Sequence, residues 1–241
     1  GIGHMIDHVI PALGTPKLCI VGEPTEMQTA IGHKGKVAMR ATFTGDAGHS
    51  SLAPHFVNAL HLASDFVQAL RRWQVELTET GDSDAAYDIP YATVHVGTFT
   101  GGQALNIVPE RADLVFEVRH LGSETQDILA HATALANTIT AAYPPSDRGP
   151  RAEIDLVTAY PGLATSPDAS ATRTLQSYGS GAATKVAVGT EAGFFDQLGI
   201  PTLVCGPGSM IGQGHKADEY VELSQLAACD RLLDRVIDGL R

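Results

Sequence analysis

Two residues in this chain have the type and setting that a metal-dependent reaction would need. Glu23 follows the apolar run LCIVG, within VGEPTE. A carboxylate just after a buried strand can point into a crevice and bind a hard or borderline cation. Equally, it can be a loop acid beside a turn at Pro24. His215 lies in GPGSMIGQGHKADEY, where glycines at 206, 208, 212 and 214 let the backbone approach a ligand closely. An imidazole in such a loop, just after an apolar strand, can ligate a metal. A solvent-facing loop histidine is the plainer alternative. Asp218 and Glu219 suit either an outer partner of a metal ligand or a helix start.

The other chemistry-bearing residues are scattered. His49 sits in GDAGHSS, between a β-prone segment and a helical one. It can cap the turn made by Ser50 and Ser51, or donate to a carbonyl oxygen that gains charge in a hydrolytic transition state. GTEAGFF places Glu191 where a strand of an α/β layer is expected to end, so it can bind a substrate ammonium or simply face solvent. Asn106 and Arg119 bracket GGQALNIVPERADLVFEVR and offer an amide donor and a guanidinium fork suited to a carboxylate. The sequence contains no phosphate-binding P-loop, no G-x-S-x-G elbow and no H-E-x-x-H.

These residues need a scaffold, and hydrophobic periodicity outlines one. LCIVG (18–22) and PTLVCG (201–206) read as strands buried on both faces. In open α/β sheets, ligands collect beyond the C-terminal ends of such strands. The middle of the chain reads as a strand from 36, an amphipathic helix over 57–73, strands over 91–99 and 111–120, a helix over 123–142 and a strand over 152–160. That β-α-β-β-α-β order predicts a ferredoxin-like antiparallel sheet with two helices on one face. Helices over 166–178 and 223–240 flank the second buried strand. The expected fold is therefore an α/β domain, residues 1–32 and 161–241, interrupted by a ferredoxin-like insert over 33–160.

Composition narrows the function classes. The 241 residues are 44% hydrophobic and 18% charged, which suits an ordered globular protein. A net charge of -11 disfavours nucleic acid and anionic membrane as partners. No apolar stretch reaches the length of a membrane span. Cys19, Cys205 and Cys229 are odd in number and fit no thiolate zinc spacing. Cys19 and Cys205 read as small buried hydrophobes, and a reducing, cytoplasmic setting is expected. GIGHMIDHVI lacks the charge pattern of a signal peptide. It reads as a helix already under way, with Ile2, Met5, Ile6, Val9 and Ile10 needing a partner, so the expectation is that the chain begins inside a domain.

In order, VGEPTEMQTAIGHKGKVAMRATFTGDAGHSS, VNAL, GGQALNIVPERADLVFEVR, GTEAGFF and CGPGSMIGQGHKADEYVE resemble the di-zinc M20 amidohydrolases and peptidases. G-T-E-A, G-P-G-S and H-K-x-D-E-Y make the acetylornithine deacetylase branch the nearest match. The resemblance implies hydrolysis of an N-acyl amino acid, N-acetyl-L-ornithine first, in arginine biosynthesis. A desuccinylase, a carboxypeptidase and a non-catalytic dimerisation module are the alternatives. It implies a homodimer and two zinc ions per site, with cobalt as a possible replacement. Glu23 and His215 would each ligate one metal, and His49 would bind the scissile carbonyl oxygen in the neighbouring subunit. Asn106 and Arg119 would hold the substrate carboxylate or line the lid. Glu191 would face the amino-acid part, and Gly208 would lie beside the substrate. The family pattern also carries an H-x-D pair, a bridging aspartate and a Glu-Glu pair in an N-terminal half. The H-x-D and Glu-Glu pairs are missing from this sequence, so the chain alone is expected to be inactive.

Overall fold

The structure is a computed structural model that describes residues 2–122, 124–214 and 216–241. After a 3-10 turn at Ile2–His4, the elements run α1 (Ile6–Leu13), β1 (Cys19–Val21), β2 (Thr29–His33), β3 (Gly35–Thr44) and β4 (Gly48–His49). A 3-10 turn at Ser50–His55 leads to α2 (Ala59–Glu79), β5 (Thr93–Gly101), β6 (Ile107–Val108), β7 (Arg111–His120), α3 (Thr125–Ala141) and β8 (Arg151–Tyr160). The chain ends with β9 (Leu163–Ala164), α4 (Ser170–Ser177), β10 (Ala183–Val186), α5 (Ala192–Gln197), β11 (Thr202–Val204) and α6 (Leu223–Asp238). These elements form two compact units: residues 1–35, 85–89 and 160–241 in the first, 36–84 and 90–159 in the second.

The second unit has the expected β-α-β-β-α-β plan. Its sheet runs in the order β5-β7-β3-β8, so β7 and β3 separate the strands that flank α2 and α3. Burial alternates along β7: Ala112, Leu114, Phe116 and Val118 are buried, while the residues between them are half-buried. Period-two alternation of this kind covers one face and leaves the other open to water. Phe43, Phe66 and Phe116 meet at the centre of the covered face, with ring centroids 5.3 and 5.5 Å apart. Fully burying one such side chain contributes about 1.5–3 kcal/mol, so these rings anchor α2 to the sheet. α2 starts at Ala59 because the Asn58 side chain accepts from the Leu60 N–H at 2.9 Å, and it runs on to Glu79, beyond the expected end at Trp73. Near its far end, Gln74 bridges the edge strand β5: its Oε1 accepts from Val94 N–H at 2.7 Å and its Nε2 donates to Ala92 O at 3.2 Å.

The first unit is the α/β layer. Its sheet runs β1-β11-β2-β10, with β9 on β2. β1 and β11 are parallel, and β2 is antiparallel to β11. Ile31 and Leu203 pack with Ala171 and Leu175 of α4 and Leu232 of α6, while Ala30 and Val204 pack with Ala192 of α5. Helices therefore cover both faces. β11 is fully buried, as its apolar run predicts. β1 is not: Cys19, Ile20 and Val21 are half-buried, because β1 is an edge strand with β11 as its one neighbour among the described residues. Cys19 is thus no fully buried hydrophobe. Met5, just before α1, stays 61% exposed, so of the predicted apolar face Val9 is buried and Met5 is not covered by the described residues.

Candidate functional site

Parallel pairing of β1 with β11 decides where Glu23 lies. The register Val21↔Val204 brings both strands to their ends together, so the loops that follow share one edge of the sheet. Cys205 N donates to Val21 O at 2.9 Å. The chain then doubles back on the glycine-rich loop: Thr25 N and Met27 N donate to Gly206 O, and Glu26 N donates to Gly208 O at 2.8 Å. Glu26 and Met27 both take positive φ, 55° and 61°, a conformation that non-glycine residues adopt rarely and at a cost. Nothing in the sequence signalled this turn. Gly208 sits at φ +91°, with Pro24 and Val221 beside it, so its need for glycine is conformational. Beside it opens a cleft of about 330 Å³, with Glu26, Gly208, Ser209, Tyr220 and Glu222 in its walls. Glu23 is exposed at this edge. The structure therefore brings together Glu23's loop and the loop that leads to residue 215. His215 itself lies outside the described residues.

His49 and Asn106 also come together. β4 pairs with β6 in the register His49↔Ile107, and Ser50 N donates to the Asn106 carbonyl at 3.0 Å. Both side chains are exposed. The His49 ring is oriented by its own turn: Nδ1 accepts from Ser51 N–H at 3.2 Å and lies 2.8 Å from Ser51 Oγ. A backbone N–H can only donate, so Nδ1 carries a lone pair and the uncharged ring holds its proton on Nε2. The serines that could have made His49 a mere turn residue thus leave an exposed N–H donor at its far side.

Arg119 stands apart from this pair. It lies eight residues along β7 from Arg111, roughly 27 Å at strand rise, whereas Asn106 precedes Arg111. Its Nε donates to Glu117 Oε1 at 2.9 Å, and Glu117 also faces Lys36 at 3.8 Å. Glu191 does not end a strand. β10 stops at Val186, and Glu191 is the exposed residue just before α5. The short β10 ends early because the chain turns to start α5, which packs against β11 and β9.

The metal expectation meets a limit in the donors. Among the described residues there is no group of three or more His, Cys, Asp or Glu side chains able to hold a metal ion. Structural and catalytic zinc sites take three or more protein ligands. The described donors do not by themselves make a zinc site. A site that no local pattern marks lies at the buried end of β2, where His33 is 1% exposed and bonded at both ring nitrogens. Burial pushes its pKa down, against the raising effect of its bond to Lys34 O.

An α/β layer with a ferredoxin-like unit is a fold this chain shares with M20 peptidases. Residues 31–146 match the M20 peptidase dimerisation domain, and most of the chain is similar in sequence or fold to the relatives that follow. It is 30% identical over 225 residues to an acetylornithine deacetylase of Myxococcus xanthus, covering 93% of this chain and 58% of that protein. It is 34% identical over 227 residues to an acetylornithine deacetylase of Aliivibrio fischeri, covering 92% and 57%. The fold is similar to aminopeptidase PepT from Bacillus cereus, with a TM-score of 0.70, 19% identity, and coverage of 92% of this chain and 56% of that one. The chain thus spans a little over half the length of the relatives it matches. No helix among the described residues is long and apolar enough to cross a membrane.

Proposed function

We propose that the chain is part of a metal-dependent amidohydrolase that cleaves N-acetyl-L-ornithine to L-ornithine and acetate, in arginine biosynthesis. The observation that carries this reading is the exposed Nε2–H of His49 beside Asn106, held where β4 pairs with β6 in the ferredoxin-like unit. Such a donor suits a carbonyl oxygen that becomes an oxyanion as water adds to the amide carbon. Its place in a dimerisation domain supports action on the site of a second copy, so the assembly is proposed as a homodimer. Residues 33–160 act as lid and dimer contact, and residues 1–32 and 161–241 as the catalytic half. Zinc, with cobalt as substitute, is proposed as the cofactor, with Glu23 and His215 among its ligands. When bound, such a metal brings the pKa of its water near neutrality. Glu191 and Gly208 are proposed to contact the amino-acid part of the substrate, and Asn106 and Arg119 its carboxylate.

The coding sequence upstream of Gly1 is to be read first. If it carries an H-x-D pair and a Glu-Glu pair, the extended protein is purified, loaded with zinc and assayed on a panel of N-acyl amino acids. The expected result is preference for N-acetyl-L-ornithine, with background turnover from the 241-residue chain alone. Preference for an N-succinyl substrate would move the assignment to a sister activity. No hydrolysis by the extended form would leave the dimerisation-module reading.

A further inference from the structure

The buried end of β2 holds a directional chain of hydrogen bonds that the proposed reaction does not use. His33 Nδ1 lies 3.0 Å from Lys34 O. A carbonyl oxygen only accepts, so the proton sits on Nδ1. In the uncharged ring Nε2 is then an acceptor. Thr190 Oγ1 lies 3.1 Å from Nε2, so the Thr190 hydroxyl donates to it. The same oxygen accepts from Ala192 N–H at 3.0 Å. The order is therefore Ala192 N–H to Thr190 hydroxyl to His33 Nε2, with His33 Nδ1–H closing on Lys34 O. His33 and Thr190 are both buried.

This chain grips a turn on both sides of Glu191. Thr190 precedes Glu191 and Ala192 follows it, at the start of α5. On the other side of the turn the Tyr160 ring covers Gly189, where a Cβ would come within 2.1–2.3 Å of it. That ring also meets His33 edge-on, with centroids 6.4 Å apart.

We propose that His33 is a positioning residue: through Thr190 it fixes the turn that presents Glu191 to the amino-acid part of the substrate, and it does so in its uncharged form. The inference rests on the role proposed for Glu191. Protonation of the ring would turn Nε2 into a donor facing a donor. It would also place a cation in a buried setting. The titratable groups around the ring are Lys34, next in sequence between β2 and β3, Lys185 on β10, Tyr87 from the 85–89 segment, Tyr160 at the end of β8 and Glu191 in the turn. The Lys34 and Lys185 ammonium groups lie 5.6 and 5.3 Å from the Tyr87 ring centroid. Burial already lowers the His33 pKa.

The test is amide hydrogen exchange of the 241-residue chain, read by mass spectrometry on peptides spanning 187–195 and corrected for intrinsic exchange. At pH 7.5, Thr190→Val removes the hydroxyl and is expected to speed exchange in this segment about tenfold, the scale of one lost hydrogen bond. Thr190→Ser keeps the hydroxyl and is expected to match the parent. His33→Gln offers an acceptor that cannot titrate. It is expected to match the parent at pH 7.5 and to abolish the faster exchange that the parent shows at pH 5. Unchanged exchange in Thr190→Val would overturn the proposal, as would acceleration spread equally over α4 and β11. So would acid opening that persists in His33→Gln. None of these readouts needs turnover. Failure of the deacetylase assay with a positive exchange result removes the role of Glu191 and keeps the latch; the reverse shows that the turn is held by other contacts.

Discussion

His120 closes β7 in the second unit and is 4% exposed, yet neither of its ring nitrogens has a hydrogen-bond partner among the described residues. Burial without a partner pushes its pKa down. An uncharged imidazole has one donor and one acceptor, and a buried polar group left unpaired costs about 1–3 kcal/mol. Replacing His120 with Leu, of similar volume, removes that cost and keeps the packing. The expected gain is about 1–3 kcal/mol in unfolding free energy, or roughly 4–8 °C in Tm per kcal/mol for a unit of this size. The pH sign follows from linkage. A histidine whose folded pKa lies below its unfolded value near 6.5 binds protons more readily when unfolded. Its contribution to stability is full above that value and is lost as pH falls through and below it. His120→Leu should therefore gain more over the parent at pH 5.5 than at pH 7.5. Trp73, the one tryptophan, lies in the same unit against the His131 ring, with centroids 4.4 Å apart. Its fluorescence in urea reads this unit directly. A loss of stability in His120→Leu at both pH values would refute the reasoning, because it would mean that the ring has a partner, such as an enclosed water. An unchanged pH slope would refute the titration argument alone.

Other outcomes follow from the same coordinates. Phe66→Ala empties the centre of the aromatic cluster and should cost about 3–5 kcal/mol, measured by the same Trp73 transition. Asn58→Ala should cost roughly 1 kcal/mol through the lost α2 cap, while Asn58→Ser should recover most of it, in thermal melts followed by circular dichroism. Burial pushes the Cys205 thiol up to about 11. In native protein at pH 8 it should resist iodoacetamide, becoming labelled only on unfolding, as peptide mass mapping would show.

The two-layer plan was legible because its signals are periodic. β7 was read at its observed bounds, since its buried residues alternate without interruption. α2 was found but clipped at Trp73: the last turns, from Gln74 to Glu79, mix polar residues with Val75 and Leu77, so the apolar spacing fades there. β2 escaped notice altogether. TAIGH is short, contains a glycine and ends in a histidine, and its burial comes from neighbours that join it from distant parts of the chain. The site divides in the same way. The meeting of His49 with Asn106 depends on β4 pairing with β6, which four residues of strand hardly announce. Glu23 was placed just after a strand because an apolar run, LCIVG, precedes the loop. The location expected for Glu191 was wrong because β10 yields to a helix that no local pattern marked. The His33–Thr190 bond, 157 residues apart in sequence, had no signal beyond two polar residues in otherwise apolar surroundings.

The Gln74 bridge has a consequence for the outer edge of the β5-β7-β3-β8 sheet. An amide side chain occupies the backbone groups of Ala92 and Val94, the first rungs that an approaching strand would seek. β5 carries no formally charged residue, so farther along nothing of that kind repels an incoming chain. Any added strand must therefore start its ladder past Val94, and a borrowed helix side chain sets its phase. Because a one-residue slip would turn every side chain of that strand to the opposite face, one glutamine restricts which alignments a newcomer can adopt.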